Sequence, residues 1–239
     1  MQTHDLFYLL DTLDIVAAVT ILVLWQGFDI LAEHPPNRYP STTILMARYR
    51  RAWMCEFVTR DPRIFDAQVM SSLRQGASFF ASACMIAVGG AVALIGNADL
   101  LSGVAQDLTL ESAPTIVWEI KLMFMSIFAI NAFLKFVWSH RLFGYCAVLM
   151  AAVPNDISNP IANPRAAKAA EINITAARSY TRGLRAIYFG IASAAWLINA
   201  EFLLAAALFT TLVVIRREFA SESRAVLLSD TDDDVNTDT

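Results

Sequence analysis

Four apolar runs set the pattern of the chain: about Leu6 to Leu31, Gly76 to Ile95, Thr115 to Trp138 and Ala186 to Ile215. Each reaches the length of about 20 residues that a helix needs to cross a hydrocarbon layer about 30 Å thick, and each is too long for a strand. The segments between the runs alternate in charge. Arg38, Arg48, Arg50, Arg51, Arg60, Arg63 and Arg74 lie between the first and second, whereas Asn97 to Pro114 contains Asp99, Asp107 and Glu111 and no Lys or Arg. Basic residues return between the third and fourth with Arg141, Arg165, Lys168, Arg178 and Arg182. Because short loops rich in Lys and Arg stay in the cytosol, the alternation predicts four spans with both termini on the far side of the membrane. Arg216, Arg217 and Arg224 follow the fourth run and pull against that placement. A cytosolic carboxyl end would need a fifth crossing, and Arg141 to Val153 is too short to supply it.

Finer patterning adds cues within this frame. In the second run Ala83, Ala87 and Ala91 fall on one line with Gly89, Gly90 and Ala93 beside it. Small residues four apart let helix backbones approach closely, which predicts a packing face and puts this helix at the centre of a bundle. From Ser41 to Val58, apolar residues interleave with Arg48, Arg50, Arg51 and Glu56. That pattern fits an amphipathic helix at the inner membrane surface with Trp53 at the interface, or equally a cytosolic helix packed on the bundle. Asp61 before Pro62 is a helix-start signal whose helix runs through Arg74 into the second span. Trp118 and Trp138, about 30 Å apart on a helix, frame the third span as interface anchors. The prolines at Pro35 and Pro36 end the first helix, and three more from Pro154 to Pro164 mark a linker before another helix.

Composition agrees with this class. Of 239 residues, 56% are hydrophobic and 17% charged, and the mean hydropathy is +0.49, too apolar for an ordinary soluble domain. The expectation is an all-α polytopic membrane bundle: residues 1–228 form one integral membrane domain with amphipathic cytosolic helical segments, and 229–239 an acidic disordered tail. The formal charge of -4 owes much to the aspartates of that tail. Cys55, Cys84 and Cys146 have no paired spacing, so free thiols and no metal centre are expected. The amino terminus has no basic residue before its apolar run and no small-residue cleavage site after it, so it reads as a retained span.

The run from Arg50 to Ser82, the pair Gly89 and Gly90, and the run ARSYTRGLRAIYF from Ala177 to Phe189 together resemble a family of bacterial membrane proteins known as domain of unknown function 599. The resemblance covers most of the chain apart from the acidic tail. It implies a several-span protein of the bacterial cytoplasmic (inner) membrane, with both termini periplasmic on the charge argument above, and it transfers no substrate, cofactor or catalytic residue.

Polar residues inside the spans are the candidates for function, because a charged group at the bilayer centre costs about 2.5 kcal/mol or more unless paired or hydrated. They are Asp14, Asp29, Lys121, Asn131, Lys135, Asn199 and Glu201. Glu201, two residues after Asn199 and near the middle of the fourth run, is the sharpest. Depth along the spans pairs Lys121 with Glu201 or Asp14, and Lys135 with Asp29. His34 and His140 at the inner boundary form the minimal pattern of two axial haem ligands, a weak signal that assigns no cofactor. No GxSxG, HExxH or glycine-rich phosphate loop is present, so no enzymatic chemistry is expected. The arginines around Trp53 and Phe57 point to anionic lipid headgroups rather than nucleic acid. Two functions remain open. One is a non-catalytic accessory, assembly or scaffold protein, docking helices of its own kind or of a membrane complex. The other is a conduit for an ion or small solute. In a scaffold the polar residues are dry and mutually paired; in a conduit they line water.

Overall fold

A computed structural model describes residues 10–36, 38–97 and 114–229. The acidic tail beyond Ser229 and nearly all of the acidic segment between the second and third runs lie outside the described residues. The elements are α1 (Thr12–Glu33), α2 (Thr42–Thr59), α3 (Ile64–Ile95), α4 (Thr115–Ala151), α5 (Ala162–Ser193), a 3₁₀ turn (Ala194–Leu197), α6 (Ala200–Phe219) and α7 (Glu222–Leu228), with no strand among the described residues. Helices α1, α3 and α4 are long and apolar enough to cross a membrane.

Local chemistry fixes most helix ends. Asp11 and Asp14 form a reciprocal capping box on α1, and Ser41 and Ser221 cap α2 and α7. Helix α1 stops at Glu33, just before the proline pair. Helix α3 continues through Arg74 without a break, but it begins after Arg63 and not at Asp61, which lies before a cis bond to Pro62.

The centre of the bundle is the antiparallel pair α4 and α5, not α3. Ser139 Oγ donates to the Ala176 carbonyl at 2.8 Å, and Cys146 Sγ to that of Ala169 at 3.3 Å. The alanines of α5 let the two backbones approach this closely. On α3 only Ala77, Ala81 and Cys84 are buried along the span. Ala83, Ala87, Gly89 and Gly90 are exposed and Ala91 is half-buried. A Cβ at Gly89 or Gly90 would meet nothing within 4 Å. Small residues bury little apolar area themselves and become a contact only when a large side chain fills the space over them. Against α5 the large residues of α4 do this; against the α3 stripe nothing among the described residues does. The stripe instead forms one wall of an open apolar groove of about 570 Å³ between α3, α4 and α5.

Two apolar cores stack along the axis. The first joins α1, α3, α4, α5 and α6 through Ile21, Trp25, Phe128, Phe136, Phe189, Trp196 and Leu203. The second joins α2 to the first part of α3, the last part of α4 and the first part of α5, through Met54, Phe57, Met70, Phe143, Cys146 and Ala169. With 37 residues, α4 extends about 55 Å, nearly twice the hydrocarbon thickness, and so serves both cores. Helix α2 therefore packs on the bundle, and its Trp53 donates to buried Asp66 at 2.6 Å instead of facing outward. Trp118 is likewise buried, whereas Trp138 is exposed as an interface ring would be.

The run Ala186 to Ile215 is not one helix. Helix α5 ends at Ser193, the 3₁₀ turn follows, and Asn199 adopts extended backbone while its side chain accepts from Phe202 N at 2.8 Å, starting α6. The chain reverses there. Arg217 of α6 donates to Tyr188 of α5 at 2.8 Å, and Glu218 lies opposite Arg185. Helix α6 thus returns to the end of the bundle that holds α2, where Arg224 Nε donates to the Pro40 carbonyl at 2.9 Å. The described chain accordingly begins at one end of the bundle and finishes at the other, in place of the expected arrangement with both ends together.

Candidate functional site: a charged layer where the two cores meet

Two adjacent helices bring complementary charges to the level where the two cores meet. On α1, Asp29 and Glu33 are four apart; on α5, Arg182 and Arg185 are three apart; each spacing puts its pair on one helix face. Arg185, 3% exposed, reaches Asp29 Oδ1 at 3.0 Å through Nη1 and lies 3.7 Å from Glu218 Oε2 through Nη2. Its guanidinium also sits 5.1 Å from the Phe28 ring centroid. Arg182 forks onto both carboxylate oxygens of Glu33. Glu218 Oε1 in turn accepts from Thr43 N at 2.9 Å and Thr43 Oγ1 at 2.5 Å. Arg185 therefore ties α1, α2, α5 and α6 into one network. A buried pair of this kind contributes little net energy, but removing one partner costs about 3–5 kcal/mol, so it fixes which register the helices adopt.

Beside the network, between α1, α4 and α5, lies a pocket of about 240 Å³ lined by Asp29, Glu33, His34, Asn131, Lys135 and Arg182 among others. The structure thus gathers Asp29, Asn131, Lys135 and His34 from the sequence candidates. His140 is not with them. Asn131 and Lys135 occupy one face of α4, while His140 belongs to the opposite face, where it contacts the Arg74 carbonyl at 3.2 Å. The two histidines line different cavities.

The remaining candidates occupy the other end. Asp14 accepts from Trp196 Nε1 at 2.6 Å and from Asp11 N at 3.2 Å. Lys121, 8% exposed, has its ammonium 5.1 Å from the Trp118 ring centroid and 5.9 Å from that of Trp196, a cation–π setting. Asn199 is the cap of α6, and Glu201 is an exposed acid in its first turn, where the helix dipole favours a negative charge. Among the ion pairs of the described residues, none joins Lys121 to Glu201 or Asp14, or Lys135 to Asp29. Asp29 takes Arg185 instead.

The two polar levels are separated by aromatic packing. Along α4, Lys121 and Lys135 are about 21 Å apart. Between their levels, Trp25 and Phe128 lie 4.9 Å apart by ring centroids, Phe124 and Phe128 5.5 Å, and Phe124 and Trp196 5.1 Å. Trp25 and Phe128 are 4% and 0% exposed, so water finds little space between them.

Sequence reasoning passed over Arg185, Arg182, Glu33 and Glu218 as functional residues. Arg182 counted only as loop charge, and Arg185 fell one position before the apolar run. The signal that could have found them is the pair of matched spacings on α1 and α5.

No curated protein and no solved structure matches the chain. A family model described as "Protein of unknown function, DUF599" matches residues 16–223, which include every member of the charged layer. The chain therefore belongs to the DUF599 family.

Proposed function

We propose that the protein is a non-catalytic accessory, assembly or scaffold component of a membrane complex. The observation that supports this reading best is the division of its polar groups into two separate levels with aromatic side chains between them. A conduit needs hydrated polar stations in sequence along the axis. Here Glu201 lies at an exposed helix start and Asn199 is used as a cap, so neither serves as a mid-membrane station. The small-residue stripe of α3, uncovered among the described residues, offers a face on which a helix of a partner, or of a second copy, can pack closely.

The proposed topology has five passages through a cytoplasmic (inner) membrane: α1, α3, α4, the upper part of α5 with the 3₁₀ turn, and α6. The end holding α2 is cytosolic. This arrangement is supported by Arg216, Arg217 and Arg224, which now share an end with the arginines of α2 and satisfy the bias of basic residues toward the cytosol. The amino terminus is periplasmic and the carboxyl terminus cytosolic.

Gentle detergent extraction of the tagged protein from native membranes, with mass spectrometry of its companions, tests the function. Stoichiometric recovery with other membrane proteins, or of a stable homo-oligomer, is the expected result. Recovery as a lone monomer that passes ions when reconstituted in liposomes would overturn it.

A further inference from the structure

A separate cavity of about 380 Å³ opens between α2, the middle of α5 and the end of α6. Its lining brings together four arginines, Arg50, Arg178, Arg185 and Arg217, with Glu218 as the one carboxylate among the described residues. These arginines come from three helices, so the cluster is a product of the fold and not of a basic stretch of sequence. Like charges around a partly desolvated cavity repel one another. Counting Glu218 and the Asp29 paired to Arg185, the surplus is two positive charges.

The donors are also under-used. The buried Nε of Arg178 has no hydrogen-bond partner among the described residues, nor does Nη2 of Arg185, whose 3.7 Å from Glu218 is too long for a hydrogen bond. Arg185 is 97% buried, so water cannot freely serve that nitrogen. Buried donors left unpaired are destabilising. Arg217 gives one nitrogen to Tyr188, and Arg50 one to Asn173, out of the five N–H bonds each guanidinium carries. Burial holds the Arg50 guanidinium below its usual pKa. The cavity is thus built for an acceptor-rich anion that the described residues do not supply.

We propose that this cavity binds a phosphomonoester, with the arginines of α2, α5 and α6 forking onto its oxygens. The charge of such a group near neutral pH, about −1.5 to −2, matches the surplus, and guanidinium forks fit phosphate oxygens in pairs. A carboxylate would leave charge uncompensated. Phe28, Leu184 and Val214 form an apolar wall on the side toward the first core, suited to the uncharged part of the ligand. The same phosphate chemistry has two sources, the headgroup of a lipid such as phosphatidic acid or a soluble phosphate ester, and the experiment separates them.

Full-length protein is reconstituted in phosphatidylcholine vesicles with and without phosphatidic acid, and lipid retained after extraction is read by native mass spectrometry. In parallel, protein in plain phosphatidylcholine is titrated with glycerol 3-phosphate against chloride at equal ionic strength, and the thermal unfolding midpoint is followed. Selective retention of phosphatidic acid assigns the lipid source; stabilisation by glycerol 3-phosphate assigns the soluble one. In either case Arg178→Gln and Arg217→Gln weaken binding about tenfold or more, the value of a charge-assisted hydrogen bond. Should Arg178→Gln lose helicity, Arg217→Gln carries the comparison, since its side chain is exposed. Absence of both effects in the wild type, or equal binding by the folded variants, overturns the proposal.

Discussion

Replacing Gly183 by alanine tests the close approach of α4 and α5. Gly183 lies between Arg182 and Arg185, and a Cβ there would stand 2.8, 2.9 and 3.0 Å from three carbons of the Phe136 ring. That ring has nowhere to go: it is 0% exposed, stacked on Phe80 at 5.2 Å and met edge-on by Tyr180 at 5.3 Å. Overpacking a dense core costs about 1–3 kcal/mol, and three contacts with a pinned ring place this case at the upper end. Alanine in a helix interior returns about 1 kcal/mol relative to glycine. The net loss is about 2 kcal/mol, which in a chain of this size lowers the unfolding midpoint by about 4–8 °C. Gly144→Ala is the control, because its Cβ meets nothing within 4 Å; only the propensity gain remains, and stability rises by about 0.5–1 kcal/mol. The assay is thermal loss of helical circular dichroism at fixed detergent concentration. If Gly183→Ala is as stable as wild type, or follows Gly144→Ala upward, the packing described for this helix pair is refuted.

Three further outcomes are expected. Arg185→Met leaves Asp29 and Glu218 facing one another without their cation and destabilises by about 3–5 kcal/mol, with partial recovery when Asp29→Asn and Glu218→Gln are added; a loss below about 1 kcal/mol by thermal unfolding would remove Arg185 from the centre of the network. Glu201→Gln changes stability by less than about 1 kcal/mol, as suits an exposed first-turn acid; a collapse of the protein would contradict its exposed placement. In sealed vesicles, a membrane-impermeant maleimide reaches Cys55 of α2 and, in a Cys55→Ser background, a Ser223→Cys substitution from the same side, while buried Cys84 and Cys146 stay unlabelled; labelling from opposite sides would rule out five passages.

Much of the architecture is legible in the sequence because it depends on properties that accumulate along the chain. Apolar length marks α1, α3 and α4, and the proline pair stops α1. Arg217 and Arg224 follow the fourth run in sequence, and the reversal at Asn199 sets them at the end of the bundle that holds α2. The fourth run breaks at Asn199. Its turn is flanked by Trp196, Leu197 and Ile198, so hydropathy passes through it without a dip, and Asn199 with Glu201 reads as an intramembrane polar pair when it is a helix cap followed by a first-turn acid.

What tertiary structure alone decided is partnership. Depth along separate spans gave Lys135 and Asp29 the same level, but the rotation of α5 presents Arg185 to Asp29 first, and the planar fork of arginine reaches Glu218 as well. The small residues of α3 have the spacing of a packing face, yet α5 rather than α3 received the large side chains of α4. A sequence records which residues share a helix face; the face that meets it, and so the value of each polar or small residue, is fixed only when the helices are set against one another.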